Sequence, residues 1–183
     1  MKGWIIAGVV VVVLVVMAVS GYNGLVTLNE GINGKWSQVE NQLQRRADLI
    51  PNLVSTVKGY AAHEQKAIQA VADARAKLSG AQGPQAKAQA DNELSGALSR
   101  LLVIAENYPN LKADQQFKTL MDELSGTENR IAVARKDYNE SVQVYNTKIK
   151  SFPTNIYANM LGFGPKEYFK AEEGAKQAPK VEF

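Results

Sequence analysis

An all-α fold is predicted by three observations: an uncharged apolar run from Gly3 to Gly21, apolar residues recurring every three or four positions from Leu25 onward, and a seven-residue apolar repeat from Phe117 to Tyr145. No stretch shows the alternation of a strand. Together these describe an N-terminal transmembrane helix that continues into a long helix, kinked at Pro51, which packs in an antiparallel three-to-four-helix bundle.

The apolar run comes first. At a rise of about 1.5 Å per residue it is just long enough to cross a hydrocarbon layer of about 30 Å. Trp4 and Tyr22 bracket it as interface residues, and Ile5, Val10, Val13, Leu14, Val16 and Met17 form the lipid-facing anchor between them. A cleavable signal peptide is the competing reading, since Ala18-Val19-Ser20 before Gly21 resembles a small-residue cleavage site. Against it, the run exceeds the usual apolar segment of about 7–15 residues, and Lys2 alone forms the basic end. With no cysteine in the chain, a lipidated-cysteine anchor and disulfides are both excluded.

Lys2 and the amino terminus precede the run, whereas the next basic residue beyond it is Lys35, after Glu30. The positive-inside bias therefore favours a cytoplasmic N-terminus in a single-pass membrane protein, with the body in a periplasm or outside the cell. The expected organisation is an anchor over 1–21, a helical body over 22–170 and a polar tail over 171–183. Lys and Arg number 21 against 18 Asp and Glu, a balance too even to hold nucleic acid. The basic excess over residues 35–87 reads as a solvated helix face, with lipid headgroups or an acidic partner as the alternative.

Helix one is expected over 22–79. Leu25, Leu28, Ile32, Trp36, Val39, Leu43, Ala47 and Ile50 form one stripe, and Val54, Val57, Ala61 and Ile68 resume it in phase beyond Pro51. In-phase resumption argues for one kinked helix over two separate ones. Gly80 and Gly83-Pro84 stop and restart the chain, giving a second helix over 84–107 with Leu94, Leu98, Leu101, Leu102 and Ala105 inward. Pro109 breaks that helix and a third follows over 113–150.

In the third helix Phe117, Leu124, Ile131, Tyr138 and Tyr145 recur every seven residues. The slot near Thr127 and Glu128 is polar, which puts a carboxylate close to the seam. Arg46 stands at the margin of the first helix's stripe, so Arg46 and Glu128 are a candidate ion pair inside the bundle, the alternative being that both reach solvent. Phe152-Pro153 ends this helix. A short helix over 154–162 follows, with Ile156, Tyr157, Met160, Leu161 and Phe163 packed over the bundle or, alternatively, laid on a membrane surface.

Catalytic chemistry finds little to work with. His63 is the single histidine, and His63-Glu64-Gln65-Lys66-Ala67 lacks the second histidine of a zinc-protease helix. Asp122-Glu123 and Glu172-Glu173 are consecutive and diverge around a helix. No catalytic residue, cofactor or metal site is assigned, and the chain is expected not to be an enzyme.

A series of segments, in order, resembles the LemA family. It comprises Tyr22-Asn23-Gly24-Leu25-Val26-Thr27-Leu28-Asn29-Glu30, Trp36-Ser37-Gln38-Val39-Glu40, Gln44-Arg45-Arg46-Ala47-Asp48-Leu49-Ile50-Pro51-Asn52-Leu53-Val54 and Val57-Lys58-Gly59-Tyr60-Ala61-Ala62-His63-Glu64. Downstream, Tyr108-Pro109-Asn110-Leu111-Lys112-Ala113, Glu128-Asn129-Arg130-Ile131, Tyr145-Asn146 and Ser151-Phe152-Pro153 before Gly162-Phe163 continue the match. The resemblance implies a bacterial membrane protein with one N-terminal span and a helical bundle. Relatives linked to magnetosome membranes suggest membrane organisation, and the family supplies no catalytic residue to carry over. This chain departs from the pattern at Gly31, Gly34 and Ser125-Gly126, where helix formers are more typical.

The function expected is a membrane-anchored, non-enzymatic scaffold. Its partners would be membrane lipid, further copies of itself in a homo-oligomer, and an envelope protein. A receptor-like module binding a small ligand or peptide in a cleft beside Pro51 is the rival.

Overall fold

The computed structural model describes residues 2–170, apart from the side chains of Lys2 and Leu14. The tail assigned to 171–183 and the lipid-facing role of Leu14 thus lie outside the described residues. Helices α1 (Lys2–Tyr60), α2 (Gln65–Gly80), α3 (Gly83–Ala105), α4 (Pro109–Ala113), α5 (Gln115–Lys150) and α6 (Thr154–Tyr157), then a 3-10 turn at Asn159–Leu161, follow one another, and no strand occurs among the described residues. Their contacts gather into two units. One holds residues 2–36 with Asp137–Lys166, and the other holds Ser37–Lys136 with residues 167–170.

In the first unit α1 begins at Lys2 and passes without interruption through the apolar run, so no break marks the expected boundary at 21/22. From Gly3 to Ser20 every described side chain is exposed. Beyond it, Leu25 and Ile32 are buried, together with Tyr138, Val142, Tyr145 and Ile149 of α5. The two helices run antiparallel: Lys35 bridges Asp137 at 3.0 Å, Trp36 meets the Tyr138 ring at 5.3 Å, and directly after the apolar run Tyr22 meets the Phe163 ring edge-on at 5.6 Å.

The chain after α6 is fastened to α5 by side chains acting as backbone surrogates. Asn146 Nδ2 donates to the Lys166 carbonyl and the Lys166 N–H donates to Asn146 Oδ1, both at 2.9 Å, while the Tyr145 hydroxyl donates to the Gly164 carbonyl at 3.1 Å. Gly162 makes the preceding turn at φ 82°, a left-handed conformation that a β-carbon would strain. The 154–162 segment, expected to pack over the bundle or to lie on a membrane surface, does not turn all of its apolar residues inward. Thr154 and Ala158 are buried, but Phe152, Ile156, Met160 and Leu161 are exposed, because a helix this short turns one face inward and leaves the other out.

The second unit corrects the expected helix over 22–79. The chain leaves the helix after Tyr60, turns through residues 61–64 with the Glu64 N–H bonded to the Ala61 carbonyl at 3.0 Å, and starts again as α2. Phase continuity could not reveal this. A four-residue turn is close to one helical repeat, so Val57, Ala61 and Ile68 keep their spacing whether the helix continues or folds back. All three are buried in the folded-back form.

Reversal also explains how Pro51 is tolerated within α1. A proline has no N–H to give the carbonyl four residues earlier, which here is Ala47. Arg75, delivered by the returning α2, donates its Nε–H to that carbonyl at 2.8 Å. α2 and α3 then pair as a hairpin, turned at Gly83 with φ 78° and restarted by Pro84 in the first turn of α3. The chain between α3 and α5 is not the plain break expected at 107–110. Pro109 opens the five-residue α4, and Asp114 accepts the Phe117 N–H at 2.8 Å to cap α5.

Candidate functional site

At the centre of the second unit three helices bring four charges together. Arg46 of α1 is buried, with 5% of its side chain exposed, and Asp91 of α3 is buried with 1% exposed. Arg46 Nη1 meets Asp91 Oδ1 at 2.6 Å, while Nη2 meets Ser95 Oγ at 2.9 Å and Glu128 Oε2 at 2.7 Å. Arg135 of α5 places Nη1 at 3.9 Å from Asp91 Oδ2, and its guanidinium lies 4.4 Å from the centre of the Phe169 ring. Two cations thus face two carboxylates, so that attraction and hydrogen bonds offset the desolvation cost of the buried charges.

Sequence reasoning paired Arg46 with Glu128 inside the bundle. The two do meet, but Glu128 stands at the rim with 47% of its side chain exposed, and Asp91 takes the interior place. The polar slot of the heptad is filled by Thr127, fully buried, whose hydroxyl donates back to the Glu123 carbonyl at 2.8 Å and so needs no partner across the seam. Asp91 was missed, although its signal was present. Asp91, Leu94, Leu98, Leu101 and Ala105 step along α3 by three and four, so an acid occupied the apolar stripe and required a buried cation.

Burial pushes the Asp91 carboxyl above the usual aspartate range, against the opposing pull of Arg46. Gln42 Oε1 and Arg46 Nε are buried without a hydrogen-bond partner, an acceptor and a donor one helical turn apart. Beside the cluster opens a cleft of about 320 Å³ whose walls include Leu98, Leu102, Met121 and Leu124, with Arg46 and Glu128 at one side. Arg46, one of its lining residues, stands five residues before Pro51. Chemically the cluster can hold helices in register and present one half-exposed carboxylate. Among the described residues no three of His, Asp and Glu gather to hold a metal ion.

A second polar set closes one end of the same unit. The Tyr60 hydroxyl donates to Asp114 Oδ2 and the Tyr108 hydroxyl to Glu64 Oε1, both at 2.9 Å. Each tyrosine is thereby held above its ordinary pKa by its carboxylate. Asp114 is held below the usual range, chiefly by the Phe117 N–H and then by Tyr60. His63, within the helix expected over 22–79, sits instead in the 61–64 turn and is exposed.

The anchor residues form the third candidate region. Trp4, Ile5, Val10, Val13, Val16, Met17 and Tyr22 are all exposed, Trp4 most of all at 88%. An 18-residue window of α1 reaches a mean hydropathy of 2.7 with none of it buried, which makes this helix a candidate membrane span.

Comparison with known proteins follows the same outline. A family model described as the LemA family matches residues 35–183. Magnetosome protein MamQ 2 of Paramagnetospirillum magneticum is 30% identical over 197 residues, covering 93% of this chain and 72% of that protein. Magnetosome protein MamQ of Magnetospirillum gryphiswaldense is 31% identical over 186 residues, covering 87% and 68%. Protein LemA of Metamycoplasma hominis is 27% identical over 156 residues, covering 82% and 69%.

Proposed function

The chain belongs to the LemA family, and from that premise we propose that it is a membrane-anchored, non-enzymatic helical scaffold that self-associates and organises or remodels bacterial envelope membrane, or recruits protein partners to it. One observation carries this reading: the apolar, wholly exposed run and the first helix of the body are a single uninterrupted α1. A helix exposed and apolar on every face is suited to lipid, and a body joined to it without a linker is held at the bilayer. Relatives named as magnetosome proteins support a membrane role. The charge-balanced Arg46–Asp91 cluster supports a structural rather than reactive interior.

In this reading the N-terminus is cytoplasmic and the remaining chain faces the periplasm or exterior, following Lys2. The full chain, reconstituted in phosphatidylethanolamine and phosphatidylglycerol vesicles and crosslinked, is expected to yield discrete oligomers. A strictly monomeric chain at physiological density in lipid would remove self-association from the proposal. The cleft beside Arg46 favours a second reading, a receptor-like module with an apolar pocket and a polar rim. Intact mass measurement of the native protein separates the two, since a ligand bound in that cleft would add a fixed mass that Met121→Trp removes.

A further inference from the structure

We propose that the 152–161 segment is an interfacial wedge that lies in the same leaflet in which the α1 span ends; this rests on α1 crossing the bilayer. The first observation is depth. The Tyr157 hydroxyl packs against the bare Cα of Gly21, where a side chain would collide with it. Pro153, Thr154 and Tyr157 share a cleft of about 410 Å³ with Val16, Met17, Ser20, Gly21 and Gly24. From Val16 to Gly21 is about 7–8 Å along a helix at 1.5 Å per residue, so the segment reaches below the end of the apolar run. Interfacial helices bury their apolar face about 5–10 Å into the headgroup and acyl boundary, the same depth.

The second observation is what the segment exposes at that level. Phe152 is 81% exposed, Met160 85%, Ile156 63% and Leu161 48%, so about half or more of each apolar side chain is left uncovered by the protein. Water is an unsuitable medium for four such side chains on ten residues. The segment that carries them meets the exposed apolar run of α1 through Tyr157 and shares a cleft with Val16 and Met17, which points to the bilayer as the occupant.

Charge supplies the third. From Ser141 to Lys166 the chain has no acidic residue, and Lys148 lines the cleft beside Met17 and Ser20, with Lys150 in the same final turn of α5. Lysines at this depth reach phosphate groups with their ammonium ends while their stems cover apolar surface. The segment therefore matches an anionic or zwitterionic headgroup layer in chemistry as well as in position.

The chain has no cysteine, so single nitroxide labels can be placed without background. Val12→Cys, Ile156→Cys, Met160→Cys and Val103→Cys are each made in the full chain, labelled, and reconstituted in phosphatidylethanolamine and phosphatidylglycerol vesicles. At 156 and 160, as at 12, dissolved oxygen is expected to collide with the label several-fold more often than a water-soluble nickel chelate does. At 103, an exposed valine of the other unit, the order is expected to reverse. Aqueous readings at 156 and 160 beside a lipid reading at 12 would overturn the wedge and leave the anchor standing. An aqueous reading at 12 would overturn the anchor itself, and the wedge with it. Spin–spin broadening at 160 that vanishes on dilution with unlabelled chain would show a second copy covering the patch, and would also overturn the wedge.

Discussion

The two halves of α1 are one helix written for two surroundings. From Gly3 to Ser20 it is apolar around its whole circumference and touches no core, whereas from Leu25 to Val57 it buries Leu25, Ile32, Val39, Leu43, Ala47, Ile50, Leu53 and Val57 on one face and turns charge outward. Backbone geometry is the same in both. What changes is where polar groups find partners. In the first half the only polar side-chain groups are the Trp4 indole N–H and the Ser20 hydroxyl, one at each end, and in the second a buried arginine and a proline each demand an answer from another helix. The lesson is that a continuous helix does not imply a continuous environment.

Substitutions that touch one half alone break the comparison most severely. Val12→Arg, near the middle of the apolar run, is expected to cost roughly 3–4 kcal/mol of insertion free energy, read as loss of co-flotation with vesicles, while thermal melting of the remaining helices is unchanged. Asp91→Ala does the opposite. It is expected to cost about 3 kcal/mol of folding stability, the low end for stranding a buried charge, because Glu128 still touches Arg46. Chemical denaturation would show the loss, with flotation intact.

Arg75→Met sharpens the account of the second half. Leaving the Ala47 carbonyl without its donor is expected to cost about 1–3 kcal/mol, and Pro51→Ala in the same chain should recover most of it by restoring an amide N–H. Equal losses with and without Pro51→Ala would refute the role given to Arg75.

The two aspartates should titrate with opposite sign. Asp114 has a depressed folded-state pKa, so its contribution is present above the ordinary aspartate range and lost as pH falls through the folded value. Asp91 has an elevated one, so its contribution is full below the ordinary range and lost as pH rises through the folded value. Melting temperature against pH should lose part of its acid-side decline in Asp114→Asn. Glu128→Gln is the smallest change, at about 1 kcal/mol or less for a half-exposed carboxylate, and a larger loss would mean that the rim residue carries the cluster.

Much of this was legible in the residues. The heptad Phe117, Leu124, Ile131, Tyr138 and Tyr145 is buried throughout, and Arg46 was marked by its place beside the stripe. The turn at 61–64 was not legible, because a four-residue reversal preserves helical phase and no glycine or proline punctuates Ala61-Ala62-His63-Glu64. Its determinants are distant in the chain: the Tyr108 hydroxyl fastens Glu64 and Arg75 answers Pro51. Asp91 was overlooked for a different reason. A stripe traced through apolar residues only, Leu94 to Ala105, passes over an acid in register with them, which is informative only when every position is weighed.

One of the two units is assembled from segments that the ribosome delivers far apart. Residues 2–36 leave the tunnel first, and Asp137–Lys166 only after the whole stretch between them has been translated. The intervening Ser37–Lys136 is contiguous and can begin to settle as soon as it is made, short only of residues 167–170, which bring Phe169 to Arg135. Until then Leu25 and Ile32, buried in the finished protein, have no Val142 or Tyr145 to meet. Any nascent chain that stalls before Asp137 therefore presents Leu25 and Ile32 without their α5 partners, an open apolar stripe for chaperones that bind such surface to engage until synthesis is complete.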